Sequence, residues 1–331
     1  MKVLAIADML IGPATMAAGL ATAPELAEDL TVREWTHESL ASLQEDNLAV
    51  EQRGPDAVPV PAGLLDDIVQ FDVLVTQFCP VAASVIRAGT KLRAIGVLRA
   101  GVENVDVGAA EAAGITVVNS PGRNANAVAE FTVGLILAET RNIARAHAEV
   151  MAQDWSRRFR NKDAIPELKG HRVGLVGLGQ IGLIVAGILE AFGMEVVYFD
   201  PYVPDAPYRS YEDLAAMASA VDILSLHSRL TPATKKMVSA AVIAALPEHA
   251  VLVNTARSGL VDEPALIEAL RDHRIMGAAI DTFDIEPLPP DSPFLQLDNV
   301  TLTSHLAGTT VDAISGTPRL LAPRLAAALR S

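Results

Sequence analysis

The glycine motif Gly177–Gly182, which reads G-L-G-Q-I-G, constrains the fold more than any other feature of the sequence. It directly follows a short apolar run, 172–176, and opens a longer stretch, 180–192, in which apolar residues recur at helical spacing. Glycines in this arrangement allow a tight turn from strand to helix and close packing of the helix on the strand. The motif therefore predicts a strand–turn–helix unit whose helix N-terminus can bind a phosphate through backbone N–H groups.

An acidic residue strengthens this interpretation. Asp200 directly follows the next β-rich run, 195–199, where a carboxylate can bind both ribose hydroxyls of a dinucleotide. The same carboxylate would repel a 2′-phosphate, so the pattern favours NAD over NADP. The alternative is a simple glycine turn followed by an aspartate that caps a helix.

Short β-rich runs alternate with helical stretches from residue 172 onward. The predicted strands are 172–176, 195–199, 221–226, 250–254, 277–281 and 300–303. Their nearly continuous apolar character is typical of parallel strands that are covered on both faces. With the strand order 3-2-1-4-5-6, we expect 250–254 to lie beside 172–176 at the point where the order reverses.

The first part of the chain carries a similar but less regular pattern. Its predicted strands are 2–7, 31–35, 71–76, 92–97 and 115–119. The stretch 37–63 contains many charges and three prolines, and its pattern predicts no element. The stretch 124–153 predicts one long helix, which is apolar nearly all round over 128–138. We expect that part to be buried between domains or against a second subunit.

Composition excludes several classes of protein. The 331 residues suggest two domains, and the net charge of −14 argues against nucleic-acid or anionic-membrane binding, since both need clustered basic residues. The single cysteine, Cys79, excludes an intrachain disulfide and a multi-cysteine zinc site, which favours a cytoplasmic protein without a metal.

Residues 1–23 partly resemble a secretory signal, but Asp8, Gly12 and Pro13 interrupt the apolar run, which reads equally well as an opening strand.

Candidate catalytic side chains follow the ends of the last predicted strands. Arg257 follows 250–254, Asp281 and Glu286 follow the next strand, and His305 follows the last one. Each has a simpler explanation as a surface ion pair, a solvated loop charge or an ordinary loop histidine. Because the carboxyl ends of parallel strands share one edge, their convergence there predicts a site that moves a hydride and a proton on an anionic substrate.

These residues lie in stretches that resemble a known family. The stretches are GVENVD (101–106), GRNANAVAEFTVGLILAETRNI (122–143), GLVGLGQIG (174–182), NTARSGLVDEPALIEAL (254–270), GAAIDTFDIEPLP (277–289) and TSHLAG (303–308). They are similar to those of the D-isomer-specific 2-hydroxyacid dehydrogenase family, with phosphoglycerate dehydrogenase as a typical member. The resemblance covers residues 73–308.

The resemblance implies an α/β fold with two doubly wound parallel-sheet domains. A Rossmann NAD domain, 122–307, would be inserted in a flavodoxin-like substrate-binding domain made of 1–121 and 308–331. It also implies a homodimer and the interconversion of a D-2-hydroxy acid and its 2-keto acid.

Residue roles follow from the same resemblance. His305 would be the acid/base, Glu286 its hydrogen-bond partner, and Arg257 the group that binds the substrate carboxylate and orients the keto oxygen. The cofactor-binding positions would be Gly177, Gly179, Gln180, Ile181, Gly182, Asp200, Ser228, Thr255, Ala256, Asp281 and Gly308. Backbone N–H groups of the loop Arg99, Ala100 and Gly101 would bind the substrate. We hypothesise that the Arg99 side chain reaches a second anionic or hydroxylated group, the alternative being that it faces solvent.

Other functions remain open at this point. An NAD(H)-sensing binding protein, like the corepressors that share this fold, could keep the same three residues. An NAD enzyme acting on amino acids or adenosyl thioethers would need other motifs, and a serine hydrolase would need a G-x-S-x-G turn that the sequence lacks.

Overall fold

The computed structural model describes residues 1–163 and 165–330. Ala164 and Ser331, which fall in the predicted segments 122–307 and 308–331, lie outside the described residues. The described chain divides into two compact units. Unit 1 holds residues 1–124 and 310–330, and unit 2 holds residues 125–309. Unit 2 is therefore an insertion in the sequence of unit 1.

The sheet of unit 1 is built from five parallel strands. They are β1 (Lys2–Ala7), β2 (Asp29–Glu34), β3 (Val73–Thr76), β4 (Ala94–Val97) and β5 (Thr116–Asn119). Their order is β2-β1-β3-β4-β5, which is the flavodoxin-like order 2-1-3-4-5. The predicted flavodoxin-like fold is thus confirmed. The opening segment forms strand β1, which pairs on both sides.

The helices of unit 1 come from both ends of the sequence. They are α1 (Pro13–Leu20), α2 (Pro24–Ala27), α3 (Leu40–Arg53), α4 (Ala83–Ala88) and α5 (Val107–Ala112), then α12 (Val311–Ser315) and α13 (Thr317–Arg330), with a 3-10 turn at Ile68–Gln70. Helix α13 packs on the sheet through Leu321 and Leu325. A Cβ at Gly96 would meet both of these leucines at 2.9 Å, which explains the glycine in strand β4.

Helix α3 lies in the stretch 37–63, where the sequence pattern predicted no element. Ser39 caps its start, because its Oγ accepts a hydrogen bond from the backbone N–H of Ser42 at 3.2 Å. Only Leu43 and Val50 are buried along its length, so the apolar stripe is too narrow for the periodicity to reveal a helix.

The sheet of unit 2 is built from seven parallel strands. They are β6 (Arg172–Val176), β7 (Glu195–Phe199), β8 (Arg209–Ser210), β9 (Ile223–Leu226), β10 (Val251–Asn254), β11 (Gly277–Ile280) and β12 (Val300–Leu302). Their order is β8-β7-β6-β9-β10-β11-β12. This is a doubly wound sheet of the Rossmann type, as expected.

The predicted neighbour of strand β6 was wrong. Strand β9, not the segment 250–254, lies beside β6, because the short strand β8 takes the edge position beyond β7. Both residues of β8 are exposed, so it has no apolar pattern that the sequence could show. The reversal of strand order therefore lies between β6 and β9.

The helices of unit 2 cover both faces of this sheet. They are α6 (Ala125–Thr140), α7 (Ile143–Met151), α8 (Gln180–Ala191), α9 (Leu214–Ala218), α10 (Ala240–Ala245) and α11 (Glu263–Arg271), with 3-10 turns at Ser258–Leu260 and Pro293–Gln296. No helix among the described residues is long and apolar enough to cross a membrane.

The segment 124–153 forms two helices rather than the one predicted. Asn142 has a left-handed backbone with a φ of 56°, which ends the helical path between α6 and α7. Its side chain donates to Asn161 Oδ1 at 2.7 Å and thus favours the break. The all-round apolar helix α6 is covered by its own unit, since Ala129 and Ile136 are fully buried in the unit 2 core.

Candidate active site

The glycine loop of unit 2 has an open helix N-terminus. Gly177 has a φ of 95°, and a Cβ there would lie 2.7 Å from Ser228 Oγ, so only glycine fits. A Cβ at Gly182 would collide with the carbonyl oxygen of Gly177. At Gly179, the N-cap of helix α8, a Cβ would have no described atom within 4 Å, and no side chain caps the helix. The loop therefore offers free backbone N–H groups to an anion.

The carboxylate of Asp200 lies beside this loop. It accepts hydrogen bonds from the backbone N–H of Leu178 and of Tyr202, both at 2.9 Å. Gln180 and Ile181 begin helix α8 directly after the loop. An open helix N-terminus next to a fixed carboxylate fits the pyrophosphate and ribose of a dinucleotide.

A histidine and a glutamate form a pair at the same edge of the sheet. His305 Nδ1 lies 2.8 Å from Glu286 Oε2, and Glu286 Oε1 accepts from the backbone N–H of Phe283 at 2.9 Å. The His305 side chain is 47% exposed, and no described residue forms a hydrogen bond with its Nε2. Glutamate therefore orients the imidazole and leaves Nε2 available for proton transfer.

Asp281 holds the loop that carries the histidine. Its carboxylate, which is fully buried, accepts hydrogen bonds from Thr303 Oγ1 at 2.6 Å and from the N–H groups of Leu306 and Ala307 at 2.9 Å. His305 itself has a left-handed φ of 55°, a conformation that costs about 1–3 kcal/mol for most residues. The three hydrogen bonds offset this cost and fix the loop. The sequence motifs assigned Asp281 to the cofactor and did not indicate this anchoring, in which its carboxylate is taken up by the histidine loop.

The turn after strand β10 presents the arginine. Asn254 donates to the carbonyl oxygen of Arg257 at 2.9 Å and accepts from the N–H of Ala256 at 3.0 Å. Thr255 is buried and its Oγ1 lies 2.7 Å from Thr132 Oγ1. Arg257 is exposed, and its Nη1 donates only to the carbonyl oxygen of Ala256. Both Asn254 and Thr255 thus shape a turn that leaves the guanidinium accessible.

The order of strands in unit 2 brings most predicted residues to one edge. Ser228, Arg257, Asp281 and His305 each follow one of the four adjacent strands β9, β10, β11 and β12, and Gly308 follows the histidine loop. Among the described residues, no hydrogen bond joins Arg257 to the pair of His305 and Glu286.

His227 is a site feature that the sequence did not reveal. Its Nε2 lies 3.0 Å from Ser225 Oγ, and its Cβ lies near the glycine loop. Burial lowers the pKa of His227 to about 4, so the imidazole is neutral at pH 7. A neutral side chain there adds no charge beside the predicted cofactor position.

The predicted substrate loop lies in unit 1, directly after strand β4. Arg99 donates to Asn47 Oδ1 at 2.7 Å and forms an ion pair with Glu51. The loop continues through Ala100, whose carbonyl oxygen accepts a hydrogen bond from within unit 1, to Gly101. The Arg99 guanidinium is therefore already paired with a carboxylate.

Fold and site together define a dinucleotide-binding α/β protein with an acid/base candidate at the carboxyl edge of the nucleotide-binding sheet. The family model "D-isomer specific 2-hydroxyacid dehydrogenase, NAD binding domain" matches residues 133–307. The chain belongs to the D-isomer-specific 2-hydroxyacid dehydrogenase family, as its motifs predicted. Its cofactor is NAD, which unit 2 binds.

Individual relatives are similar over most of the chain. The D-3-phosphoglycerate dehydrogenase of Methanocaldococcus jannaschii is 40% identical over 274 residues, which cover 81% of this chain and 51% of that protein. The glyoxylate reductase of Thermofilum pendens is 36% identical over 298 residues, 88% of each chain. The TT0316 protein of Thermus thermophilus has a solved structure with a TM-score of 0.73 and 30% identity, covering 100% of this chain and 97% of its own. The chain thus spans about half the length of the phosphoglycerate dehydrogenase and most of the reductase.

Proposed function

We propose that this protein is an NAD-dependent dehydrogenase that interconverts a D-2-hydroxy acid and the corresponding 2-keto acid. The observation that carries the proposal is the hydrogen bond between His305 and Glu286, located at the carboxyl edge of the NAD-binding sheet. An imidazole held by a carboxylate, with its second nitrogen available, is suited to general acid–base catalysis.

Each group has a defined task in the reduction of a keto acid. The bound cofactor supplies the hydride that reduces C2. His305 donates the proton on Nε2 to the keto oxygen, while Glu286 holds the imidazole in position through Nδ1. Arg257 binds the substrate carboxylate with its guanidinium, which matches a carboxylate in shape and charge. Oxidation of the hydroxy acid reverses the proton transfer.

The two units take separate tasks in this proposal. Unit 2 binds NAD through the glycine loop, and Asp200 selects against a 2′-phosphate because the two negative charges repel. Unit 1 is the substrate-binding domain, in which backbone N–H groups of the loop 99–101 bind the substrate carboxylate.

Oxidation of NADH with a panel of 2-keto acids tests the activity. We expect turnover with at least one of glyoxylate, hydroxypyruvate, phosphohydroxypyruvate or a keto sugar acid. His305→Gln should lower kcat by at least about a hundredfold, the usual contribution of a general acid. The matched control is His147→Gln, because His147 is an exposed histidine on α7. Tight binding of NADH without turnover of any keto acid would favour the NAD(H)-sensing binding protein instead.

A homodimer accounts for the surface of helix α7. No residue of this helix is buried, yet Ile143, Val150 and Met151 are apolar and more than half exposed, as is Trp155 shortly after it. A second copy of the chain would cover this surface. Light scattering should show a dimer that Met151→Glu weakens and that Ala148→Glu, on another face of α7, leaves intact. A monomeric wild-type protein would refute the dimer.

We place the protein in the cytoplasm. Its only cysteine, Cys79, is a free buried thiol, and such cysteine usage is typical of a reducing compartment. Fractionation of cells that express the protein tests this location.

A further inference from the structure

Unmatched polar atoms gather at the carboxyl edge of the unit 1 sheet. The buried atoms without a hydrogen-bond partner among the described residues of this edge are Asp8 Oδ2, Gln77 Nε2, Gln77 Oε1, Asn104 Oδ1 and Arg123 Nη1. Gln77 is fully buried, and both polar atoms of its amide lack a partner. A buried polar atom without a hydrogen bond destabilises a fold, so such a cluster calls for a ligand or water that completes it.

The cluster lies where a sheet of this order binds its ligands. Asp8 directly follows β1 and Gln77 directly follows β3, the two strands between which the order 2-1-3-4-5 reverses. The side chain of Asn104 reaches the same place, since its Nδ2 donates to the carbonyl oxygen of Cys79 at 3.2 Å. Asp8, Gln77 and Asn104 therefore lie at the switch point of the sheet, and Arg123 lies near enough to Asp8 for their charges to interact.

The charges of this edge nearly cancel. Burial lowers the pKa of Arg123, the charge of Arg99 lowers it further, and the nearby Asp8 carboxyl partly opposes both effects. Burial also raises the pKa of Asp8. Arg99 adds no free charge, since Glu51 neutralises it. Besides this ion pair, the cation of Arg123 and the acidic groups of Asp8 and Glu103 remain, with Glu103 Oε2 at 4.0 Å from Arg99 Nη2. No hydrogen bond joins Arg123 to Asp8 among the described residues.

We propose that the cluster of Asp8, Gln77, Asn104 and Arg123 binds the hydroxylated, uncharged tail of the keto acid, and so selects polyhydroxy 2-keto acids over phosphorylated ones. The inference rests on the proposed function and names the substrate class of the same site. It assigns the second group of the substrate to this cluster rather than to the Arg99 side chain.

Hydrogen-bonding capacity decides between the two kinds of tail. A hydroxyl both donates and accepts, so it can satisfy the amide N–H and the amide oxygen of Gln77 and the oxygen of Asn104. A phosphate offers only acceptor oxygens at neutral pH, so it would leave these side-chain oxygens unmatched. It would also face the acidic group of Asp8 with a single arginine to compensate.

Replacement of the buried amide separates ligand binding from structure. Gln77→Met keeps the volume and removes only polar atoms that make no side-chain hydrogen bond, so the melting temperature should stay the same or rise. We expect the ratio of kcat/KM for 2-keto-gluconate to that for glyoxylate, which has no tail, to fall about tenfold, the effect of a lost hydrogen bond. Gln70→Met is the matched control, because Gln70 is exposed in the same unit.

A second variant guards against a folding defect. Arg123→Gln should lower the same ratio, whereas Arg87→Gln, which changes an exposed arginine of unit 1, should not. Wild-type preference for phosphohydroxypyruvate over 2-keto-gluconate would overturn the proposal. An equal loss of kcat/KM with both substrates would also overturn it. A lower melting temperature of Gln77→Met with an unchanged ratio would do the same, because it would indicate that water completes the amide.

A binding measurement separates this inference from the proposed activity. Gluconate is the hydroxy acid that corresponds to 2-keto-gluconate and has the same hydroxylated tail. It should raise the melting temperature of the wild-type protein in a saturable manner, and it should raise that of Gln77→Met less. Such stabilisation without turnover of any keto acid would support the cluster as a binding site and refute only the dehydrogenase activity. Equal stabilisation of both proteins, or none, would overturn the inference.

Discussion

The carboxyl edges of the two sheets differ in how their polar side chains are satisfied. In unit 2, Asp281, Asn254 and Glu286 bind backbone N–H or carbonyl groups of the loops around them. In unit 1, Gln77 and Asn104 are as buried as Asp281 and Asn254, but three of their polar atoms have no partner. The unit 2 edge is completed mostly by its own chain, where Thr282 Oγ1 is the buried side-chain atom without a partner among the described residues, and the unit 1 edge is incomplete without a ligand or water.

This difference matches the separate tasks that we propose for the units. A catalytic histidine must be held in one geometry before substrate arrives, because misplacement by about 1 Å lowers rates severely. Polar groups that recognise a substrate are instead satisfied by the substrate, and their unmatched state in the free protein contributes to selectivity. The unmatched polar atoms that serve recognition in unit 1 lower its stability, so function costs unit 1 more stability than it costs unit 2.

The largest effect is expected where the unit 2 edge is broken. Asp281→Asn leaves one N–H of the histidine loop facing an amide N–H₂, and so removes part of the anchor of His305. We expect the free energy of unfolding to fall by roughly 3 kcal/mol. The kcat should fall more than the KM rises, since the variant misplaces the acid rather than the substrate.

Denaturant unfolding and steady-state kinetics measure both effects. The control is Asp291→Asn, which changes an exposed aspartate of unit 2. Unchanged stability of Asp281→Asn would show that the histidine loop does not depend on this carboxylate.

Acid should affect the two edges in opposite directions. Burial lowers the pKa of His227 in unit 2 to about 4, so below pH 6.5 the unfolded chain binds a proton that the folded unit does not, and stability falls until about pH 4. The loss approaches about 3 kcal/mol. Burial raises the pKa of Asp8 in unit 1, so Asp8 binds a proton more readily in the folded unit than in the unfolded chain. The contribution of Asp8 to the free energy of unfolding therefore rises as the pH falls.

Hydrogen exchange of strands β9 and β1 across this pH range resolves the two responses. His227→Gln should flatten the response of β9, and Asp8→Asn that of β1. Parallel responses of both strands in the wild-type protein would contradict the comparison.

The smallest effect concerns two buried amides. Asn254→Leu in unit 2 removes two hydrogen bonds and should cost about 1–3 kcal/mol of stability. The Gln77 side chain in unit 1 makes no hydrogen bond, so Gln77→Leu should change stability by less than about 0.5 kcal/mol. Equal losses in chemical denaturation would show that the Gln77 amide is satisfied after all.

Much of the fold was predictable from local patterns. Strand β1 has the predicted bounds, 2–7, and helix α8 begins directly after the glycine loop, as the motif indicated. The family motifs also predicted the pairing of His305 with Glu286, although 19 residues separate them. Such features depend on periodicity, glycine geometry and short motifs, all of which neighbouring residues encode.

The sequence by itself thus determined two parallel sheets, the glycine loop and the chemistry available at the strand ends. Only the tertiary structure decided that β8 takes the edge of its sheet, that Glu51 neutralises Arg99 and that Asp281 anchors the histidine loop. It also decided that Gln77 remains unmatched. The physical reason is that a hydrogen bond or ion pair depends on which distant segments pack together, and no local pattern records that choice.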